Sequence, residues 1–149
     1  MRTTAIHVFT IGAAGKSAER FFSLLAGAGV KRVIDVRLYN SSQLAGYTKS
    51  RDLPFFLKSI LHADYLHLAA FAPTKELLND YKKGQLSWAE YERRYRATIE
   101  QRRADLELSP EVLDRSCLLC AEPTADHCHR RLAAEHLQQI WPELTIQHL

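Results

Sequence analysis

The stretch from Ala5 to Val36 constrains the fold most. AIHVFTI (residues 5–11) reads as a first strand, closed by Gly12. Residues 17–28 then place Phe21, Leu24, Leu25 and Ala28 on one helical face, with Gly29 set to stop the helix. RVIDV (32–36) is a second, β-branched run. Strand, helix and strand joined this closely form a βαβ unit, and such a unit makes its strands parallel.

The rest of the chain continues the alternation. Residues 52–62 read as a helix opened by Asp52 and Pro54, and 64–68 (DYLHL) as a short third strand. Pro73 to Lys83 is expected to be helical, with Leu77, Leu78 and Tyr81 on one side and Gly84 after it. Ser87-Trp88-Ala89-Glu90 has the form of a capping box, in which the Ser87 oxygen accepts from the Glu90 N–H and Glu90 answers at Ser87. It opens a helix to about Arg103, with Trp88, Tyr91, Tyr95, Thr98 and Ile99 at helical spacing. A turn of helix at 110–114, a fourth strand at 116–121 (SCLLCA), a helix at 127–139 and a last strand at 144–148 complete the reading. The expected fold is α/β: one three-layer domain, residues 1–149, around a mostly parallel sheet of about five strands.

Composition narrows the function classes. At 149 residues and 46% hydrophobic content the chain can fill one core, and its apolar runs fall far short of the roughly 18 residues of a membrane span. Met1 to Thr10 lacks the basic, apolar and cleavage-site sequence of a secretion signal. Three cysteines are an odd number and too few for a disulfide framework, so free thiols and a cytoplasmic setting are expected. The net charge of +3 permits an anionic partner without demanding one.

In parallel sheets, ligands bind beyond the carboxyl ends of the strands. Three polar stretches fall there: Gly12 to Ser17 (GAAGKS), Asp35 with Arg37, and Cys120 with Glu122. Asp35 and Arg37 share a face by the two-residue period, as do Cys120 and Glu122. GAAGKS is too short for a nucleotide phosphate loop, but N–H groups and Lys16 favour an anion near it. Cys117 and Cys120 point to opposite faces, which leaves Cys117 as core filler. His129 extends the apolar stripe of Ala133, His136, Leu137 and Ile140, so it is expected near Cys120. Cys128, in the first turn of that helix, is a candidate thiolate because the dipole and free N–H groups lower a thiol pKa.

Thr10-Ile11-Gly12, Asp35-Val36-Arg37, Cys120-Ala121-Glu122 and Cys128-His129-Arg130 occur in the order seen in the family called domain of unknown function 488. The chain resembles that family over nearly its whole length, and the Cys-Ala-Glu…Cys-His-Arg block is the specific part. The resemblance implies a small α/β fold of bacterial or archaeal cytoplasmic origin, and no established reaction. The family commonly follows Thr-Ile-Gly with His or Tyr and then Ser, where this chain has Ala13 and Ala14. It often has a proline soon after Asp-Val-Arg, where this chain has Leu38, Tyr39, Asn40 and Ser41.

The preferred reading is an enzyme with a pocket at the strand ends, acting on a small anionic, nucleotide-like or phosphorylated molecule. Asp35, Cys120, Glu122, Cys128 and His129 are the candidate catalytic groups, and Gly12, Lys16, Arg37 and Arg130 the candidate substrate-binding ones. VIDVR is similar to the strand that opens rhodanese-like sulfurtransferase domains. Those domains, and low-molecular-weight phosphatases, need a cysteine loop closed by Gly or Arg, and here Asp126 stands six positions after Cys120. Three alternatives stay open. One is nucleic-acid binding or modification through Lys82, Lys83, Arg93, Arg94, Arg96, Arg102 and Arg103, interleaved with aromatics. Another is a metal site on Cys120, Cys128 and His129, against which the spacing argues. The last is a non-catalytic interaction domain. Cofactor and oligomeric state are left open.

Overall fold

The computed structural model describes residues 5–40, 46–122 and 124–149. Ser41 and the first four residues, on which parts of the reading above rest, lie outside them. Five strands form one sheet: β1 (Ile6–Gly12), β2 (Arg32–Asp35), β3 (Asp64–His67), β4 (Ser116–Cys120) and β5 (Leu144–His148). Every pairing is parallel and the spatial order is β3-β2-β4-β1-β5. The expected mixture resolves to an all-parallel sheet, because every return to the sheet passes through helical or turn-rich chain.

The six helices are α1 (Ala18–Ala28), α2 (Leu53–Phe56, continued by a π turn at Leu57–Leu61), α3 (Lys75–Lys82), α4 (Trp88–Arg102), α5 (Pro110–Leu113) and α6 (His129–Ile140). Ser17 caps α1 by accepting from the Arg20 N–H, and Gly29 ends it in the left-handed conformation, φ 71°. Two boundaries move from the sequence reading for local reasons. The third helix begins at Lys75 because Thr74 is its cap, accepting from the Leu77 N–H. The last begins at His129 because Cys128 is extended, φ −136° and ψ 139°. Half of the capping box forms: Ser87 accepts from Glu90, but the Glu90 carboxylate turns forward to Arg93 and Arg94.

The two-residue strand period sorts the core into two layers. Phe9, Ile11, Val33, Cys117 and Leu119 pack against Phe21, Phe22 and Leu25 of α1 and Leu53 of α2. Ile6, Val8, Ile34, Val36 and Leu118 pack against Tyr91, Tyr95 and Ile99 of α4 and Leu132 and Leu137 of α6. Cys117 is fully buried in the α1 layer, as its strand position predicts. No helix among the described residues is long and apolar enough to cross a membrane.

Strand order also places a crevice. From β2 the chain runs outward to β3, whereas from β4 it leaves through α6 in the opposite direction to β5. Between two adjacent strands whose connections diverge, the carboxyl edge is left uncovered. Asp35 to Arg37 stand on one side of that crevice and Cys120 on the other.

Candidate functional site

The α1 side of the crevice holds a closed polar cluster. Asp35 is fully buried and shares its face with Val33. Its Oδ1 accepts from the Arg37 backbone N–H at 3.1 Å and from Arg37 Nε at 2.8 Å. Its Oδ2 accepts from Arg37 Nη2 at 2.8 Å and from the Tyr65 hydroxyl at 2.6 Å. The guanidinium also donates to the Thr48 hydroxyl at 3.2 Å and the Thr48 carbonyl at 2.6 Å. A carboxylate has room for about four such bonds, so Asp35 is saturated. Burial alone would lower the Arg37 pKa, but the bonds to Asp35 outweigh it and hold the guanidinium charged. Burial, and then the bond to Asp35, push the Tyr65 hydroxyl up.

The α6 side holds a different cluster. Cys120 ends β4 on the face of Leu118, and Cys128 and His129 open α6 directly over it. All three are buried, with exposures of 3%, 2% and 7%. The His129 Nε2 lies 2.7 Å from the Val36 carbonyl oxygen. A carbonyl only accepts, so the Nε2 carries a proton and Nδ1 is the nitrogen free to exchange one. Cys120 Sγ lies 3.5 Å from that Nδ1 and 3.9 Å from Nε2. The similar separations put the sulfur beside the ring rather than on the axis of one nitrogen. Tyr95 holds the imidazole from another side, its ring edge-on at 5.5 Å. The two sulfurs and a histidine nitrogen all lie within 4.8 Å of one another.

Only one of the two thiols is placed to carry charge. Burial would push Cys120 up. The Cys128 thiol donating to it, the charge and hydrogen bond of His129, and the Glu122 backbone N–H together outweigh burial and hold Cys120 well below the ordinary thiol range. Cys128 moves the other way: burial and then the neighbouring Cys120 push its thiol up. For His129, burial opposes the charged form, but the Cys120 interactions prevail and raise it. An imidazole and a backbone N–H act on the Cys120 sulfur, whereas Cys128 meets the neighbouring sulfur and Arg130. Proximity to an imidazole and a backbone N–H outweighs the field of a helix end.

Gly12, Lys16 and Arg130 build the frame of this site. Arg130 is almost wholly buried; its Nε donates to the Thr10 hydroxyl at 3.2 Å and its Nη1 to the Glu122 carbonyl at 2.5 Å. The same Nη1 lies 3.9 Å from Cys128 Sγ. A Cβ at position 12 would overlap the Glu122 carbonyl oxygen and crowd Arg130 Nη1, so only glycine lets β1 pass so close. Lys16 Nζ donates to the Gly12 carbonyl at 2.7 Å. Glu122 contributes its backbone carbonyl to Arg130 and is itself exposed.

A cleft of about 630 Å³ opens over the second cluster. Cys120, Cys128 and His129 line it, with Arg37, Tyr39, Tyr81, Lys82, Trp88, Tyr91, Glu122 and His127. The Trp88 ring is stacked on His127 at 4.8 Å and on Tyr91 at 5.1 Å. Of the sequence-predicted residues, the cleft gathers Arg37, Cys120, Glu122, Cys128 and His129; Asp35, Gly12, Lys16 and Arg130 stand behind it. Of the α4 arginines, Arg93 and Arg94 pair with Glu90 and Arg96 with Glu135, while Arg102 donates to the Ala70 and Ala72 carbonyls. Its Tyr91 and Tyr95 face inward and are buried.

Sequence reasoning missed Tyr65, Thr48, the Val36 carbonyl and the aromatic wall as parts of the site. A tyrosine in a strand next to Asp35 was the available signal for Tyr65. Nothing in a sequence marks which backbone carbonyl an imidazole will meet.

The family profile described as domain of unknown function DUF488 matches residues 17–137 of the chain. No curated protein and no solved structure gives a significant match.

Proposed function

This chain belongs to the DUF488 family, and we propose that it is an enzyme whose reaction centre is the thiol–imidazole pair Cys120 and His129. One observation carries the reading. The His129 Nε2–H is committed to the Val36 carbonyl at 2.7 Å, which leaves Nδ1 to serve Cys120 at the floor of a cleft. A nucleophile, a base beside it and a third group fixing the base's tautomer are the parts of a covalent-catalysis site. Cys120 forms a bond to an electrophilic atom of the substrate through its sulfur lone pair. The leaving group departs with its electron pair and takes a proton from His129. Water or a second acceptor then displaces the sulfur, and His129 recovers its proton from that acceptor.

The cleft chemistry favours a small planar anion, in the class of nucleotide-like or phosphorylated molecules. Tyr39, Tyr81 and His127 offer flat apolar surface, and Lys82 supplies positive charge. Asp35 is then a positioning residue rather than a proton carrier: with Arg37 it brackets Val36, whose carbonyl orients His129.

Iodoacetamide labelling of the reduced, chelator-treated chain, followed by peptide mass spectrometry, tests the reading. Cys120 is expected to be alkylated first and far faster than Cys117, and slowed by an occupant of the cleft. Labelling of Cys120 at the rate of an ordinary buried thiol sinks the proposal.

One observation favours a second reading, a metal centre: the donor atoms of Cys120, Cys128 and His129 lie within 4.8 Å of one another. Two thiolates and an imidazole suit zinc. The fold, rather than sequence spacing, brings them together. Near-stoichiometric metal in protein purified without chelator, lost in Cys128→Ser, would replace the thiol reading.

A further inference from the structure

Cys128 has no part in the scheme above, yet it is the nearest sulfur to the nucleophile. The two Sγ atoms lie within 4.8 Å, both residues line the same cleft, and Cys117 is on the opposite face of the sheet. Cys120 is held by β4 and by backbone bonds from Ala13 to its carbonyl and from Ala14 to that of Ala121. Cys128 instead sits at the end of an exposed loop and caps α6 without a side-chain cap hydrogen bond. Its sulfur meets Arg130 Nη1 at 3.9 Å and the Cys120 sulfur, and neither contact holds it away from Cys120.

We infer that Cys128 is a resolving thiol, and that the site carries out thiol–disulfide exchange on a small-molecule disulfide admitted to the aromatic cleft. The inference rests on Cys120 being the nucleophile. In the first step the Cys120 sulfur attacks one sulfur of the disulfide R–S–S–R. A Cys120–S–S–R bond forms, the substrate S–S bond breaks, and one thiol leaves with the bonding pair and the proton that His129 held, which returns the imidazole to its neutral form. In the second step Cys128 gives its proton to His129 and attacks the Cys120 sulfur. A Cys120–Cys128 disulfide forms and the second RS⁻ leaves. The substrate gains two electrons, the two cysteines lose two, and a reducing thiol restores the pair. Arg130 Nη1, 3.9 Å from Cys128 Sγ, favours the anion that Cys128 becomes in the second step.

The test uses the reduced full-length chain with chelator present and an aromatic disulfide, 5,5′-dithiobis(2-nitrobenzoate), at one equivalent. The expected result is release of two aromatic thiols per chain, a product two hydrogens lighter than the starting protein, and a peptide crosslink between Cys120 and Cys128. Cys128→Ser is expected to release one thiol and keep the aromatic adduct on Cys120. Cys117→Ser should behave like the parent. A parent protein that stops at the stable Cys120 adduct overturns the resolving role, while fast iodoacetamide labelling of Cys120 would leave the nucleophile reading intact. Release of two thiols that persists in Cys128→Ser overturns it as well.

Discussion

Two polar clusters flank the same sheet edge and obey different rules. The Asp35–Arg37 cluster, on the α1 side, is complete: four donors saturate the carboxylate and Thr48 takes more of the guanidinium. The Cys120–His129 cluster, on the α6 side, sets the His129 Nδ1 3.5 Å from the Cys120 sulfur, and it opens onto a cleft. Val36 joins them, lying between Asp35 and Arg37 in sequence and giving its carbonyl to His129. Both clusters are buried and charged, so burial and charge alone do not mark a reaction centre. What separates them is whether every donor and acceptor is already used. A saturated network resists change; one with an exchangeable proton beside open space is able to react.

Substitutions should pull the two clusters apart. The largest effect is expected from Cys120→Ser, which removes the fast alkylation phase entirely while far-ultraviolet circular dichroism stays unchanged. If another cysteine inherits the fast phase, the open cluster has been misplaced. In the parent protein the lowered Cys120 pKa keeps the thiolate present as pH falls. Its alkylation rate should persist to lower pH than that of an ordinary thiol, which loses roughly tenfold per unit below its pKa. A slope of that ordinary size would make the two clusters alike.

Asp35→Asn strikes the closed cluster and leaves Arg37 buried without its counter-charge. Urea unfolding should show a loss of about 3–5 kcal/mol, the typical result of breaking a buried ion pair. The fast phase should survive in whatever remains folded. Tyr65→Phe removes one hydrogen bond to the same carboxylate and is expected to cost about 1.5–3 kcal/mol in the same assay. Arg93→Ala, on the exposed face of α4, should change neither unfolding nor labelling. A measurable change there would mean that the surface ion pairs reach the site.

The sequence made the frame legible and left the site half-written. Residues 144–148 form a strand with the expected limits, and Gly29 ends α1 as expected, because periodicity and turn chemistry are local signals. The i, i+2 relation between Asp35 and Arg37 was local too, and the pair forms. His129 lands beside Cys120 because both its helical stripe and the end of β4 were readable. The charge on the sulfurs was not readable in the same way. It depends on the Val36 carbonyl just past β2 and an N–H from the loop after β4, contacts that exist only once the strands are ordered in space. The π turn at Leu57–Leu61 left no distinct trace either, since a helix and a π turn share the same apolar spacing over so short a run.

Trp88, stacked between His127 and Tyr91, makes the cleft visible to light. The chain has only two tryptophans, and the other, Trp141, follows the last turn of α6 and does not line the cleft. An indole's emission responds to the rings, protons and sulfur groups within a few ångströms of it. Trp141 then supplies a steady background, and changes in emission report events at Trp88. A molecule that displaces His127 from the stack should alter that emission, so ligands for this site can be sought by fluorescence before any reaction has been assigned to it.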